Sequence, residues 1–377
     1  MTIPFFAPDL FDADHETLLG LVREVGLDPE QKFILGSRTA EFERVQRDAV
    51  GAADAIACGS GTSALLLVLT AMGVGTGDEV VVPAFGCAPL AAAPALLGAT
   101  PVFADIDPVT LVADPVEAAR LIGPRTKALL PAHMFSVMAD MPAFRRLADS
   151  TGVRLLEDSA VAQGGTLAGR PAGMWGDAGV YSFVQVKTFG MPGEGGLVVT
   201  GDEELGQAIR MLRNHGQDGR QRFVHHRIGW NSRFDEIMAA FQLHRFPSFP
   251  ERLNRRAKIG EYYTERFASL ADRGILTPPR DRDGRCFYVY NLLADHRDAL
   301  LKHLADADID SHVYYRSPLP SQPGFARFAR PGEAWPAAER ACQRSLALPI
   351  HPMLTDAQVE HIADAVCHFA DTKRTSR

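Results

Sequence analysis

The feature that most constrains the fold is a regular alternation of short apolar runs and helical segments over residues 55–156. Apolar runs of four or five residues predict strands, and longer segments with a helical repeat predict the helices between them. Strands joined by helices at this spacing favour a mainly parallel sheet with helices on both faces, an α/β fold. Ligands of such sheets bind beyond the carboxyl ends of the strands. The predicted strands are Ala55–Cys58, Glu79–Val82, Pro101–Ala104, Lys127–Pro131 and a strand that begins at Arg154.

The chain of 377 residues is too long for one small core, so we expect two domains. Prolines at 247 and 250 place the boundary between a large domain, residues 1–248, and a smaller C-terminal α+β domain, residues 249–377. We expect residues 1–32 to pack on the smaller domain. Within that domain, the sequence predicts a long helix at Leu253–Leu270 and a strand at His312–Tyr315.

Charge and composition exclude several function classes. The net charge of −7 gives no basic surface for nucleic acid. The sequence has no apolar span of about twenty residues that would predict a membrane helix, and its N-terminus lacks the pattern of a signal peptide. We therefore expect a cytoplasmic protein. The five scattered cysteines form no CxxC pair and predict reduced thiols, with no metal site.

The segment GSGTSAL, residues 59–65, follows the first predicted strand and opens an apolar helix. Ser60, Thr62 and Ser63 are residue types that cap helices, and the two glycines allow a close backbone approach. Free N–H groups and the helix dipole at such a terminus favour an anion such as phosphate. The segment is neither a Walker loop nor a GxGxxG fingerprint, which disfavours a dinucleotide. A plainly capped helix is the alternative.

Lys187 stands in the stretch GVYSFVQVKTFGMPGEGG, residues 179–196. Val180–Val186 predicts a strand, and the glycines and prolines after the lysine predict a turn before a second strand at Leu197–Thr200. A lysine where an apolar strand enters a turn is partly desolvated, which favours the neutral, nucleophilic amine. Taken alone, the pattern also fits a surface lysine in a hairpin.

Asp158 follows the predicted strand segment Val153-Arg154-Leu155-Leu156-Glu157. A buried carboxylate is costly unless a cation or hydrogen-bond donors meet it, and the protonated ring nitrogen of a cofactor would do so. The alternative is a cap for a helix that starts near Ser159. His133 lies at a predicted strand end of the same sheet edge, whereas Ser182 lies five residues before Lys187, near the start of its predicted strand. For each of the two residues, a ligand contact and a purely structural role stay open.

A phosphate-type helix terminus, a strand-end carboxylate and a strand-end lysine together meet the requirements of pyridoxal 5'-phosphate. The phosphate needs the loop, the ring nitrogen needs a carboxylate, and the aldehyde needs an amine for a Schiff base.

With these residues in place, the sequence resembles the DegT/DnrJ/EryC1/StrS aminotransferases of fold type I, which act on keto sugars, usually nucleotide-linked, and on keto cyclitols. The resemblance covers nearly the whole chain and rests on the order and spacing of its segments. These are FILGSRTAEFE (33–43), GSGTSAL (59–65), GDEVVVPAF (77–85), GATPVFADIDP (98–108), RTKALLPAH (125–133), LLEDSA (155–160), GDAGVYSFVQVKTFGMPGEGGLVVT (176–200), LRNHG (212–216), GWNSRFDEIMAAF (229–241) and LALPIHPMLT (346–355).

The resemblance implies that Lys187 forms the Schiff base and that Asp158 pairs with the pyridine nitrogen. It implies that Asn231 reaches the phosphate from a partner subunit, so the active site would be shared across a homodimer. The cofactor-binding residues that it implies are Gly61, Thr62, Ser63, Cys87, Asp158, Gln163, Ser182, Lys187 and Asn231.

Four positions depart from the family pattern, and one of them is Gly86, which stands where the family usually has threonine. Cys87 stands where the family usually has an aromatic residue stacked on the cofactor ring, and Phe85 is a candidate to compensate. Val161 replaces a frequent glutamine, with Gln163 two residues further on, and Pro320 replaces a histidine that usually follows Pro318-Leu319. These changes bear on the substrate more than on the reaction type.

The resemblance therefore implies an aminotransferase that moves an amino group from glutamate or glutamine to a keto sugar or keto cyclitol. Relatives that dehydrate sugars carry histidine in place of the lysine, whereas Lys187 is present here. A pyridoxal-dependent dehydratase or eliminating enzyme stays an alternative, as does a non-catalytic regulatory protein on the same fold.

Overall fold

The computed structural model of the chain describes residues 2–7, 11–29, 32–221, 223–278 and 284–374. The helices are α1 (His15–Leu27), α2 (Ser37–Val50), α3 (Gly61–Ala71), α4 (Pro89–Leu96), α5 (Pro115–Arg120), α6 (Met141–Thr151), α7 (Glu203–Leu212), α8 (Glu236–Arg245), α9 (Phe249–Phe267), α10 (Arg297–Asp306), α11 (Pro336–Arg344) and α12 (Asp356–Arg374). The strands are β1 (Asp54–Cys58), β2 (Glu79–Pro83), β3 (Thr100–Ala104), β4 (Thr126–Leu129), β5 (Arg154–Asp158), β6 (Thr166–Leu167), β7 (Arg170–Pro171), β8 (Ala178–Ser182), β9 (Gly196–Thr200), β10 (Ile275–Leu276), β11 (Tyr290–Ala294) and β12 (Ser345–Leu348).

A seven-stranded sheet in the order β1-β9-β8-β5-β4-β2-β3 forms the centre of the molecule. Strands β3, β2, β4, β5 and β8 run parallel to one another, and β9 is antiparallel to both of its neighbours, β8 and β1. This arrangement confirms the predicted mainly parallel α/β sheet. Since β1 therefore points the same way as β8, six of the seven strands end at one edge, and only β9 begins there.

Local sequence explains these elements. Every residue of β2 is buried, as expected of a central parallel strand covered on both faces. The carboxylate of Asp140 accepts the Ala143 N–H at the start of α6, and Gly152 ends that helix with a left-handed φ of 72°. The carboxylate of Asp202 caps α7 in the same way, by accepting the Leu205 N–H.

A second core lies between α9, α10, α12 and the small sheet β10-β11-β12. No loop separates it from the large sheet at the predicted boundary, because α9 starts at Phe249, directly after a short 3-10 helix over Phe246–Ser248. Phe249, in the first turn of α9, packs in a core of the predicted large domain, whereas Tyr263 lies in the second core. The division at residue 248 stays a prediction.

The N-terminal residues pack in two places. Ile3 pairs with Ile309 and lies in the second core. In contrast, Leu18 and Leu21 of α1 pack against the core that contains Phe42 and Phe241, on the large side.

Two predicted strands differ from the structure. The strand predicted over Val180–Val186 ends at Ser182, because the chain turns back and the Met191 N–H bonds to the Phe183 carbonyl at 2.9 Å. The strand predicted over His312–Tyr315 is reduced to a single bridge between His312 and Ala347.

Candidate active site

The predicted site residues gather at the edge where the parallel strands end. Gly59 follows β1, Asp158 is the last residue of β5, and Ser182 is the last residue of β8. Lys187 lies in the turn after β8, and Cys87 lies in the loop after β2. Parallel strand ends at one edge are where ligands of such sheets bind.

The β1–α3 loop forms a helix N-terminus suited to an anion. The hydroxyl of Ser60 accepts the Ser63 N–H at 3.0 Å and donates to the Ser63 hydroxyl at 3.1 Å. The Ser60 carbonyl accepts the Ala64 N–H. Among the described residues, this leaves the N–H groups of Gly61 and Thr62 without a protein acceptor, as expected of an anion-binding helix terminus.

Close packing brings Ser182 to this loop. In the sheet register, Gly196 of β9 stands between Cys58 of β1 and Ser182 of β8. A Cβ atom added at Gly196 would lie 2.4 Å from the Ser60 carbonyl, and one added at Gly61 would lie 3.2 Å from the Ser182 hydroxyl. Only glycine at these two positions lets the loop lie against β9 with the Ser182 hydroxyl beside the helix terminus.

Asp158 is a buried carboxylate with 4% exposure. Its Oδ1 atom accepts the Ala160 N–H at 2.9 Å. Burial raises the pKa of Asp158, although that N–H and the positive charge of Lys187 act in the opposite direction. A cationic group placed against this carboxylate would therefore stabilise its ionised form, which is the property that a protonated ring nitrogen needs.

A second buried carboxylate, Glu157, stands beside it and was not predicted from the sequence. His133 accepts the Ala139 N–H at Nδ1, so its Nε2–H donates to Glu157 Oε1 at 2.8 Å. Glu157 also accepts N–H groups from Gly173 and Trp175. Burial opposes its ionisation, but these donors, led by His133, hold the pKa of Glu157 below its usual value. His133 thus has a structural contact that fixes the end of β5.

Lys187 is partly exposed and points across the site towards the C-terminal part of the chain. Its Nζ atom lies 4.4 Å from the centroid of the Tyr288 ring. Its positive charge also favours the ionised forms of Asp158 and of the Cys87 thiol. The charge of the lysine thus reaches the carboxylate of Asp158, and a turn rather than the end of a strand holds the lysine.

Cys87 is partly exposed, and burial of its thiol raises its pKa to about 12, so the group is neutral at physiological pH. Burial raises the pKa of the Tyr315 phenol, and Cys87 and Asp158 act in the same direction. Tyr315 therefore lies on the same side of the site as these two residues. Phe85 packs edge-on against Tyr315 with ring centroids 5.2 Å apart. These contacts place an aromatic surface beside the position that lacks an aromatic residue in the sequence pattern.

Two of the predicted cofactor contacts lie in other surroundings. The Gln163 amide donates to the side chain of Gln46 in α2 at 2.8 Å. Asn231 is exposed, and its side-chain amide oxygen accepts the Arg233 Nε–H at 2.9 Å. The neighbouring Ser232 hydroxyl accepts the Gly59 N–H at 3.4 Å, which places this segment next to the anion-binding loop of its own chain. The predicted roles of Gln163 and Asn231 stay predictions.

The site residues that sequence reasoning missed are Glu157, Tyr288 and Tyr315. Glu157 had a signal, because a second carboxylate at the end of an apolar strand also needs donors. The two tyrosines had none, because they follow Lys187 by more than 100 residues. Across the described ranges, no helix is long and apolar enough to span a membrane, and no group of three or more His, Cys, Asp or Glu side chains could hold a metal ion.

The chain is similar to proteins of one known family over most of its length. The DegT/DnrJ/EryC1/StrS aminotransferase family matches residues 15–367. A pleiotropic regulatory protein of Geobacillus stearothermophilus is 36% identical over 340 residues, which are 90% of this chain and 91% of that protein. The UDP-N-acetyl-3-dehydro-alpha-D-glucosamine 3-aminotransferase of Acidithiobacillus ferrooxidans is 37% identical over 339 residues, 89% of this chain and 90% of that protein.

Solved structures share the fold over the whole chain. DesV of S. venezuelae, determined in complex with a ketimine intermediate, superimposes with a TM-score of 0.93 at 34% identity. The match covers 98% of this chain and 99% of DesV.

Proposed function

The chain belongs to the DegT/DnrJ/EryC1/StrS aminotransferase family of pyridoxal phosphate-dependent enzymes, and from this premise we propose its substrates and the roles of its residues. The proposed reaction moves an amino group from glutamate or glutamine to the ketone of a sugar. A nucleotide-linked keto sugar is the favoured acceptor, since the relative from A. ferrooxidans is named for a UDP-linked 3-dehydro sugar. A keto cyclitol is the second candidate.

One observation carries the proposal: a helix N-terminus, a buried carboxylate and a lysine meet at one sheet edge. The N–H groups of Gly61 and Thr62 and the Ser182 hydroxyl fit the phosphate of the cofactor. Asp158 fits its ring nitrogen, because a cation there would offset the cost of burying the carboxylate. Lys187 is the amine that fits its aldehyde.

When bound, pyridoxal phosphate supplies an electron sink for the reacting carbon. The chain's own residues position the reactants and move a proton. Asp158, fixed at the end of β5 through its neighbour Glu157, would hold a negative charge beside the ring nitrogen of the bound cofactor. The Nζ atom of Lys187 is the proposed carrier of the proton between the two reacting carbons.

We further propose a cytoplasmic homodimer with shared active sites. The support for the shared site is the exposure of the Asn231 side chain, which leaves its amide accessible to a partner subunit. In the proposed dimer, this amide reaches the phosphate in the partner's site.

The decisive experiment compares Lys187→Ala with Lys258→Ala, which removes an exposed lysine of α9. We expect the parent and Lys258→Ala to show the visible absorbance of bound cofactor and to release one keto acid per amine transferred. Lys187→Ala should show neither. Full turnover by Lys187→Ala would refute the mechanism.

The keto acid also separates the alternatives. A dehydrating or eliminating enzyme releases no keto acid from an amino donor, and a regulatory protein would turn over neither substrate.

A further inference from the structure

The amine of Lys187 has an aromatic neighbour from the C-terminal part of the chain. Its Nζ atom lies 4.4 Å from the centroid of the Tyr288 ring, within the range of a cation–π interaction. In the described part of the chain, no carboxylate forms a salt bridge with this amine. The Tyr288 ring is therefore a direct contact of this amine, and no salt bridge among the described residues competes with it.

Tyr288 is held firmly in this place. The residue is 7% exposed and packs in the main core. Its N–H donates to the Cys286 carbonyl at 2.9 Å, and its carbonyl accepts Nη1 of the buried Arg256 at 3.1 Å. A ring fixed in this way can hold a flexible lysine side chain at a defined position.

The chemistry of an aminotransferase gives this contact a use. Whenever the lysine is released from the cofactor, its amine must stay near the reacting carbon and must take up and return a proton. The negative face of a phenol ring attracts an ammonium group. An amine that stays protonated has no free electron pair with which to react as a nucleophile.

We propose that Tyr288 is a positioning residue that holds the released amine of Lys187 over its ring and stabilises the protonated amine. This inference rests on the proposed function, since it assumes that the lysine alternates between bound and released states. Two other titratable groups are close enough for the charge of the amine to act on them, Asp158 on β5 and Cys87 after β2. Both stay unchanged in the variants below.

The test measures the reactivity of the released lysine, without any sugar substrate. Full-length protein is reconstituted with pyridoxamine phosphate, which leaves Lys187 free, and is trace-labelled with acetic anhydride at pH 8. Mass spectrometry then gives the acetylation rate of Lys187 relative to that of the exposed Lys258. Tyr288→Phe keeps the ring and removes the hydroxyl, whereas Tyr288→Met keeps a similar length and removes the ring.

We expect the relative labelling rate of Lys187 to rise about three- to tenfold in Tyr288→Met and to stay within about twofold of the parent in Tyr288→Phe. A matching fall in kcat, with KM for the amino donor unchanged, should appear only in Tyr288→Met. A general loss of packing would instead lower the melting temperature and increase labelling at other lysines as well.

An unchanged rate in Tyr288→Met would overturn the proposal, as would an equal rise in both variants, which would assign the effect to the hydroxyl. Tyr288→Leu replaces Tyr288→Met if the latter does not fold. Labelling reports the contact even if the sugar transfer proves wrong, so the two proposals fail separately.

Discussion

The Nε2–H of His133 donates a hydrogen bond to Oε1 of Glu157 at 2.8 Å, and both side chains are buried. Glu157 is fully buried and immediately precedes Asp158. The pair therefore fixes the end of β5, and the next residue is Asp158, whose carboxylate is proposed to face the cofactor. Breaking a buried ionic hydrogen bond costs more than the bond itself contributes, because the remaining group is left without a partner.

We expect Glu157→Gln to lower the free energy of unfolding by about 1–3 kcal/mol at pH 7. The pKa of Glu157 is lowered in the folded protein from its usual value of 4.5. Its contribution to stability is therefore full above pH 4.5 and is lost as the pH falls through the folded value. Urea unfolding should show a difference between parent and variant that shrinks as the solution is acidified below pH 4.5. A difference that did not depend on pH would contradict this account.

Gly196→Ala should weaken cofactor binding. The new methyl group would lie 2.4 Å from the Ser60 carbonyl, so the loop that presents Gly61 and Thr62 must move. We expect the Kd for pyridoxal phosphate, measured by absorbance titration, to rise about tenfold or more. Gly201→Ala is the matched control, because no atom lies within 4 Å of its added Cβ. Equal affinities in the two variants would argue against the loop as the phosphate site.

Asp158→Asn should reduce the rate far more than it reduces cofactor occupancy. The amide keeps the size of the side chain but removes the negative charge that stabilises a protonated ring nitrogen. We expect kcat to fall about 100-fold while most of the protein still binds the cofactor. Steady-state kinetics together with absorbance of the purified protein would check both values. Equal rates in variant and parent would remove the proposed electronic role of Asp158.

Mixed dimers test the shared site. Lys187→Ala and Asn231→Ala are each expected to be inactive or strongly impaired alone. If Asn231 acts in the partner's site, a dimer with one copy of each variant has one intact site, and activity should return. Coexpression with two affinity tags allows these dimers to be purified and assayed.

The control pairs Lys187→Ala with Asp158→Asn. Both residues lie at the same sheet edge of one protomer, so each site in that mixed dimer carries one defect. No activity should return. Recovery in neither mixture would place Asn231 in the site of its own chain.

Local sequence determined the layered α/β fold, the capped loop before α3 and the strand-end position of Asp158. These features depend on apolar periodicity, on cap residues such as Ser60 and on glycines that permit a turn, all of which act over a few neighbouring residues. For this reason the main elements of the large sheet were predicted close to their observed bounds.

Tertiary structure decided where the lysine lies and what surrounds it. The run Val180–Val186 is as apolar as a strand, but the Phe183 carbonyl accepts the Met191 N–H, which turns the chain out of the ladder and places Lys187 in a turn. Tyr288 and Tyr315 reach the site from the second part of the chain, and Gln163 packs on Gln46. Contacts between residues more than 100 positions apart depend on how whole elements pack together. Neither helical periodicity nor turn chemistry encodes that packing, because both act only between near neighbours in the chain.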